Sequence, residues 1–168
     1  ELLYSLIDTS SEMCALFNNA PDLKSSIQKV LAENEALRQQ VEGIMREKAV
    51  QFKQQMKEQV QEKNGMKVLA AEVALAPEYV KDIAFQLRAE VEDSLVVIGS
   101  VHEGKPMLTA AASDSLVARG VNIGKNIRGA AKLIQGGGGG QPHFATAGGK
   151  NPEGLAEAVA KLVEMLTA

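Results

Sequence analysis

Apolar residues recur every three or four positions over the first third of the chain, and this period predicts two helices. The first spans about residues 1 to 18, and Pro21 suits the first turn of the second. The second helix is predicted over about 21 to 63, with a length on the order of 60 Å at about 1.5 Å per residue. One small domain cannot cover a helix of that length, so we expect a projecting arm.

The second helix carries an apolar heptad, which is typical of helices that pair. Asn34 occupies an a position, where a polar residue fixes register and favours two strands. The pattern fits two arrangements, a homodimeric contact or a hairpin in which the first helix folds back, and we keep both open. The seam consists of Leu23, Val30, Leu37 and Ile44 at d and of Ile27, Asn34 and Val41 at a.

From residue 65 onward the period changes, and short apolar runs alternate with shorter helices. Strands are predicted over 66 to 73, 94 to 101, 106 to 112 and 144 to 147, and helices over 77 to 91, 114 to 119, 122 to 135 and 152 to 165. Because the strands and helices do not alternate regularly, the fold class is α+β, with helices packed on a small mixed sheet. We therefore predict a helical arm over 1–64 and a globular domain over 65–168.

Composition limits the kinds of protein that this chain can be. With 168 residues, 45% of them hydrophobic, it can bury one ordinary core plus an appendage. It has no apolar run of about 18 residues and no signal-peptide pattern, so we expect a cytoplasmic protein with no membrane partner. The single Cys14 excludes an internal disulfide. The chain starts at Glu1 within a helical pattern, which suggests a segment of a longer protein.

The formal charge of −3 conceals a basic region. Residues 66 to 93 contain three basic and six acidic side chains, whereas residues 102 to 150 contain six basic and two acidic ones. Lys125, Arg128 and Lys132 are three and four residues apart on a predicted helix, so they share one face and could bind successive phosphates. The alternative is an ordinary solvated face.

Five consecutive glycines beside these cations need a reason, because glycine loses more backbone freedom on folding than any other residue. One explanation is a loop whose free N–H groups converge on an anion such as phosphate. The loop is neither a P-loop nor a dinucleotide fingerprint, since the required Lys-Ser/Thr and the leading strand are missing. The other explanation is a flexible linker. The run comprises Gly136, Gly137, Gly138, Gly139 and Gly140.

The run continues as GGGGGQPHFATAGGKNPEGL and is preceded by SDSLVARGVNIGKNIRGAAKLIQ. This order of motifs resembles the C-terminal, DHHA1-type domain of alanyl-tRNA synthetases, a domain also attached to DHH phosphoesterases. The likeness covers 65–168, and the helices before it are similar to the arm that precedes this domain in the synthetases. His143 departs from the pattern, because many relatives have an acidic residue there.

The resemblance implies that the domain contacts the outer corner of tRNA, helps the aminoacylation and editing domains share one tRNA, and forms dimers in some members. It implies a parent enzyme that attaches alanine to tRNA with ATP, edits mischarged tRNA and holds zinc, whereas this fragment itself needs no cofactor. The alternatives are a structural dimerisation arm and the nucleic-acid-binding half of a DHH phosphoesterase.

We expect the fragment to bind tRNA without catalysing a reaction. His102, His143 and Cys14 are too few and too scattered for a metal site or a nucleophilic triad. The predicted nucleic-acid-binding residues are Lys125, Arg128, Lys132, Arg119 and Lys150, the five glycines 136 to 140, and His143.

Overall fold

Two units, Glu1–Ile44 and Met45–Ala168, make up the chain, and the computed structural model describes all 168 residues. The boundary between the units falls inside the long second helix. The helices are α1 (Leu2–Leu16), α2 (Leu23–Glu58), α3 (Pro77–Glu90), α4 (Asp114–Ala118), α5 (Ile123–Ala131) and α6 (Leu155–Thr167). The strands are β1 (Gln61–Lys63), β2 (Met66–Val73), β3 (Ser94–His102), β4 (Lys105–Ala112), β5 (Gly137–Gln141) and β6 (Phe144–Gly148).

The first unit consists of α1, a short corner and the first part of α2. No residue of α1 is buried, and Leu3 is 68% exposed. The heptad side chains of α2 are also open, with Leu37 59% and Ile44 61% exposed. The predicted helices and the turn between them are therefore present, but α1 does not fold back to cover the seam of α2.

The second unit is built on one six-stranded mixed sheet with the order β1-β2-β3-β4-β6-β5. β2 and β3 are parallel and are joined by α3, whereas all the other neighbouring strands are antiparallel. The predicted α+β class with a mixed sheet is confirmed.

Helices cover both faces of this sheet. On one face α5 and α6 bury a cluster that includes Leu95, Leu108, Ile127 and Leu162. On the other face α3 and the last turns of α2 bury a second cluster, which includes Phe52, Met56, Leu69, Leu87 and Ile98. The alternation of strand residues sends successive side chains to opposite faces, so a single sheet supplies both cores.

The predicted second helix is too long at its C-terminal end. α2 stops at Glu58, and residues 61 to 63 form β1, which pairs with β2 through a two-residue turn. Asn64 and Gly65 form this turn with φ of 50° and 73°, the left-handed conformation that Asn-Gly adopts in tight hairpins. The dipeptide therefore marks a hairpin and not a helix end.

Ionic contacts join α2 to α3 within the second unit. Lys53 and Lys57 both donate hydrogen bonds to the carboxylate of Glu90. The hydrogen bond from Lys53 is the main cause that holds the pKa of Glu90 below its usual value, and Lys57 adds to the effect. Because these ion pairs lie at the solvent-exposed surface, they stabilise the fold less than the buried side chains of Phe52 and Met56 do.

We predict that Met56→Ala lowers the free energy of unfolding of the second unit by about 2–5 kcal/mol, because it leaves a cavity at a side chain only 2% exposed. Val50→Ala on the same helix is the control, since Val50 is 69% exposed and its truncation should change stability by less than about 0.5 kcal/mol. Urea unfolding followed by circular dichroism measures both. Equal stability of the two variants would show that the last turns of α2 do not pack on the sheet of the second unit.

Candidate nucleic-acid interface

Four of the five glycines, Gly137 to Gly140, form most of an edge strand. β5 pairs with β6 from Gly137 opposite Gly148 to Gln141 opposite Phe144, and Pro142-His143 makes the two-residue turn between them. The predicted loop of converging amides is therefore wrong, because main-chain groups of this segment pair with the neighbouring strand. The N–H of Gly136 likewise donates to the carbonyl of Ala131 at 3.0 Å.

Close contact with the main chain of β6 explains every second glycine. A Cβ atom added at Gly136, Gly138 or Gly140 would lie 1.8, 2.2 or 2.5 Å from a carbonyl oxygen of the partner segment. By contrast, a Cβ at Gly137 would meet nothing within 4 Å. The even-numbered positions thus require glycine for close approach, while the odd-numbered ones leave bare main chain on the open side.

Helix α5 lies directly on this hairpin. A Cβ at Gly124, in its first turn, would lie 2.3 Å from the carbonyl oxygen of Gly140, and the N–H of Ile123 donates to the Pro142 carbonyl at 3.0 Å. The side chain of Asn122 caps the helix by accepting a hydrogen bond from the N–H of Lys125 at 3.0 Å. These contacts fix the distance of α5 from β5 and the residue at which α5 begins.

Three of the predicted cations lie on α5 and on the turn that follows it. Lys125 and Arg128 are exposed on α5, and Lys132 is exposed in the 3₁₀ turn Lys132–Ile134 that follows it. The guanidinium of Arg128 lies over the glycine strand, with Nη2 3.5 Å from the position of a Cβ on Gly139. The structure therefore places positive charge beside bare main chain.

Arg119 is not part of this group. Its guanidinium donates to the carbonyl of Gly65 and to the carboxylate of Asp93, both at 3.2 Å. Gly65 lies in the turn between β1 and β2, at the sheet edge opposite β5. A hydrogen bond from Ser115 is the main cause of a lowered pKa of Asp93, and the charge of Arg119 contributes. The sequence spacing gave no sign of these partners.

Lys150 and His143 lie at opposite ends of the β5-β6 hairpin. Lys150 is exposed just after β6, and its N–H donates to the carbonyl of Ile134 at 2.8 Å. His143 is half-buried in the turn, where its carbonyl accepts from the N–H of Ala112 at 2.9 Å. Their roles in binding stay predictions.

A stacked aromatic pair near the turn was not predicted from the sequence. The rings of Phe85 and Phe144 are stacked with centroids 4.6 Å apart and planes inclined by 18°, and the ammonium of Lys81 lies 6.0 Å from each centroid. Both rings are half-buried. The spacing of four between Lys81 and Phe85 was the available signal, but nothing linked Phe85 to Phe144, which is distant in the chain.

No group of three or more histidine, cysteine or acidic side chains is arranged to hold a metal ion. None of the helices combines the length and the apolar character needed to cross a membrane.

Residues 65–168 match the family described as the DHHA1 domain. This match covers more than half of the chain, which therefore belongs to the DHHA1 domain family, as the resemblance predicted. A solved structure, the C-Ala domain from Aquifex aeolicus alanyl-tRNA synthetase, superposes with a TM-score of 0.60 at 28% identity and covers 66% of this chain and 99% of that one.

The similarity to alanine–tRNA ligases extends over nearly the whole chain, including the helices before the domain. The ligase of Bacteroides fragilis strain YCH46 is 53% identical over 166 residues, which are 98% of this chain and 19% of the ligase. That of Porphyromonas gingivalis strain W83 is 41% identical over 163 residues, 96% of this chain and 19% of the ligase. The chain thus spans about a fifth of the length of these relatives.

We predict that Gly138→Ala lowers the free energy of unfolding by about 1–3 kcal/mol, because its methyl group would be pressed against the main chain of Thr146 and Ala147. Gly137→Ala, one residue earlier and facing open space, is the matched control and should be close to neutral. Thermal unfolding of both variants measures the difference. Equal melting temperatures would mean that β5 and β6 are not in close contact.

Proposed function

We propose that this chain is the tRNA-binding C-terminal part of an alanyl-tRNA synthetase and that it binds tRNA through α5 and β5 without catalysing a reaction. The observation that carries the proposal is the guanidinium of Arg128 lying over the glycine strand, with Lys125 and Lys132 exposed on the same segment. Three cations spaced along one short helical segment match the phosphates of a nucleic-acid strand.

The bare main chain of β5 complements these cations. No side chain projects from Gly137 to Gly140 themselves, so a sugar–phosphate backbone can come close to the strand beside the guanidinium of Arg128. Contacts of this kind are made to phosphate and ribose, and they recognise the shape of folded RNA more than its base sequence. The outer corner of tRNA, which the family resemblance indicates, is a surface of that type.

The relatives of the chain support a proposal for the whole parent protein. Alanine–tRNA ligases match this chain over its arm as well as its domain, which favours a synthetase over a DHH phosphoesterase. We propose that the parent attaches alanine to tRNA with ATP, edits mischarged tRNA and holds zinc outside this segment. In that enzyme, the segment would keep one tRNA available to the catalytic domains.

The double variant Lys125→Glu with Arg128→Glu tests the binding surface. We expect at least a tenfold loss of tRNA affinity. The slope of the logarithm of the binding constant against the logarithm of the salt concentration should fall in magnitude by about 2, because about one unit is lost with each phosphate contact. Fluorescence anisotropy of labelled tRNA at two or more salt concentrations gives both quantities.

Lys63→Glu with Lys67→Glu is the matched control. It changes the net charge of the chain by the same amount, but its positions are exposed at the opposite side of the sheet, on β1 and β2. The control should retain most of the affinity. If both double variants bind tRNA as the unchanged chain does, or if both lose affinity equally, α5 is not the binding surface.

The exposed arm supports a second proposal. The apolar seam of α2 is exposed, with Ile27 38%, Val30 48% and Val41 52% accessible, and a continuous apolar stripe of this kind is typical of a surface that another helix covers. We propose that two copies of the chain associate through this seam, with Asn34 facing its counterpart at the a position.

Leu37→Asp should prevent this association, because it places a charge at a d position of the seam. We expect the unchanged chain to sediment as a dimer at micromolar concentration and the variant as a monomer. Ala32→Asp, an exposed residue on the far side of the heptad, is the control and should stay dimeric. A monomeric unchanged chain over the whole concentration range would rule out the seam as a dimer contact.

A further inference from the structure

A solvent-accessible cavity of about 380 Å³ lies at the end of the sheet where β3 and β6 terminate. It is on the face opposite α5 and α6, because Ser100 lies two and four positions after Ile98 and Val96, whose side chains pack on the α3 side. Its volume is in the range of about 300–1,000 Å³ typical of small-molecule sites. Of the predicted nucleic-acid-binding residues, Gly136 and Lys150 line it, whereas the cations of α5 do not.

Part of the cavity wall is apolar. Pro77, Pro106 and Met107 supply the apolar side chains, and Gly148 and Gly149 present main chain without side chains. The wall at Gly149 is fixed, because its N–H donates to the carbonyl of Pro106 at 3.0 Å. A planar ring fits between apolar side chains and a bare peptide surface.

One hydroxyl group lines the cavity from the sheet. It belongs to Ser100, which is 1% exposed. The hydroxyl can donate to or accept from the edge of a bound ring.

The rim carries more positive than negative charge. Lys105 and Lys150 line it together with His102, and Glu103 is the acidic residue among the lining side chains. The Nε2 atom of His102 lies 3.9 Å from the carboxylate of Glu103, which places that carboxylate beside the imidazole. An anionic group attached to the ring would therefore be attracted to the two lysines.

We propose that this cavity holds one unstacked nucleotide of the bound RNA, with its base against Met107 and the prolines and its phosphate toward Lys105 and Lys150. The proposal rests on the proposed function, since it assumes that the chain binds tRNA. Proteins recognise RNA in this way where a base is splayed out of its stack and its edge is read by hydrogen bonds. Ser100 would supply such a bond.

Nuclear magnetic resonance of the ¹⁵N-labelled chain tests the cavity with the four 5′-mononucleotides, adenosine and inorganic phosphate as probes. We expect a saturable shift of the amide signals of Ser100, Met107, Gly148 and Gly149 with at least one mononucleotide. Adenosine should bind on the order of tenfold more weakly than 5′-AMP, the equivalent of one charge-assisted contact. Inorganic phosphate should not saturate these signals at the same concentration.

Gly148→Leu should block the cavity and abolish the shifts. A Cβ at this position meets nothing within 4 Å, so the protein itself accommodates the larger residue. Gly137→Leu is the control, because Gly137 is the cross-strand partner of Gly148, has equally open space and does not line the cavity. Ser100→Ala, which removes only the hydroxyl, should weaken the nucleotide severalfold and does not depend on how the leucine variants fold.

Each result is decisive. Equal loss in both leucine variants, unchanged binding in Gly148→Leu or in Ser100→Ala, or saturation by inorganic phosphate as strong as by 5′-AMP would overturn the nucleotide proposal. A parallel titration with tRNA separates the two proposals. If tRNA binds and no mononucleotide shifts the cavity signals, only this inference fails, whereas absence of tRNA binding at low salt removes the proposed function.

Discussion

The close approach of three main-chain segments controls the rest of the second unit. β5 lies against β6, and α5 lies against β5, at distances that exclude a Cβ atom at Gly124, Gly138 and Gly140. Any side chain at these positions would push the hairpin or the helix outward and open the core formed by Ile127 and its neighbours. The entropy cost of the glycines is therefore offset by packing that no larger residue permits.

This constraint also decides where the cations lie. The direction of α5 is fixed at its start by the Asn122 cap and by the contact of Gly124 with Gly140. Arg128, one turn further on, then lies over Gly139. Arg119 is only nine residues earlier in the chain, but it precedes the α5 cap and faces the opposite sheet edge, where Asp93 binds it. Arg119 is therefore close to the cations of α5 in sequence but is not part of their cluster in the structure.

The elements with a strong period could be predicted from sequence. The apolar spacing of α3 and α6, the buried runs of β3 and β4 and the helical character of the arm are all confirmed within a few residues. β1 was missed because three polar residues have no strand pattern of their own and depend on the Asn64-Gly65 turn to meet β2. β5 was missed because four of its five residues are glycines, which have no side-chain pattern at all.

The candidate site was predictable in its residue types and less so in its arrangement. Spacing of three and four placed Lys125, Arg128 and Lys132 on one helical segment correctly, since that is a local property of the chain. The stacking of Phe85 on Phe144 and the cavity beside Ser100 depend on strand order, which brings together residues distant in sequence. Period and spacing carry no information about such contacts.

The β5-β6 hairpin connects the two proposed contact surfaces. It forms one edge of the sheet, with α5 and its cations on one face and the cavity beside Gly148 on the other. A strand without side chains at that edge leaves room for a polymer to cross from one face to the other, whereas bulky residues at 137 and 139 would stand in its way. The glycines thus serve two separate physical needs: alternate positions bring the protein's own main chains together, and those between them leave space outside. A flexible linker would satisfy neither need, because both depend on the strand being held in register with β6.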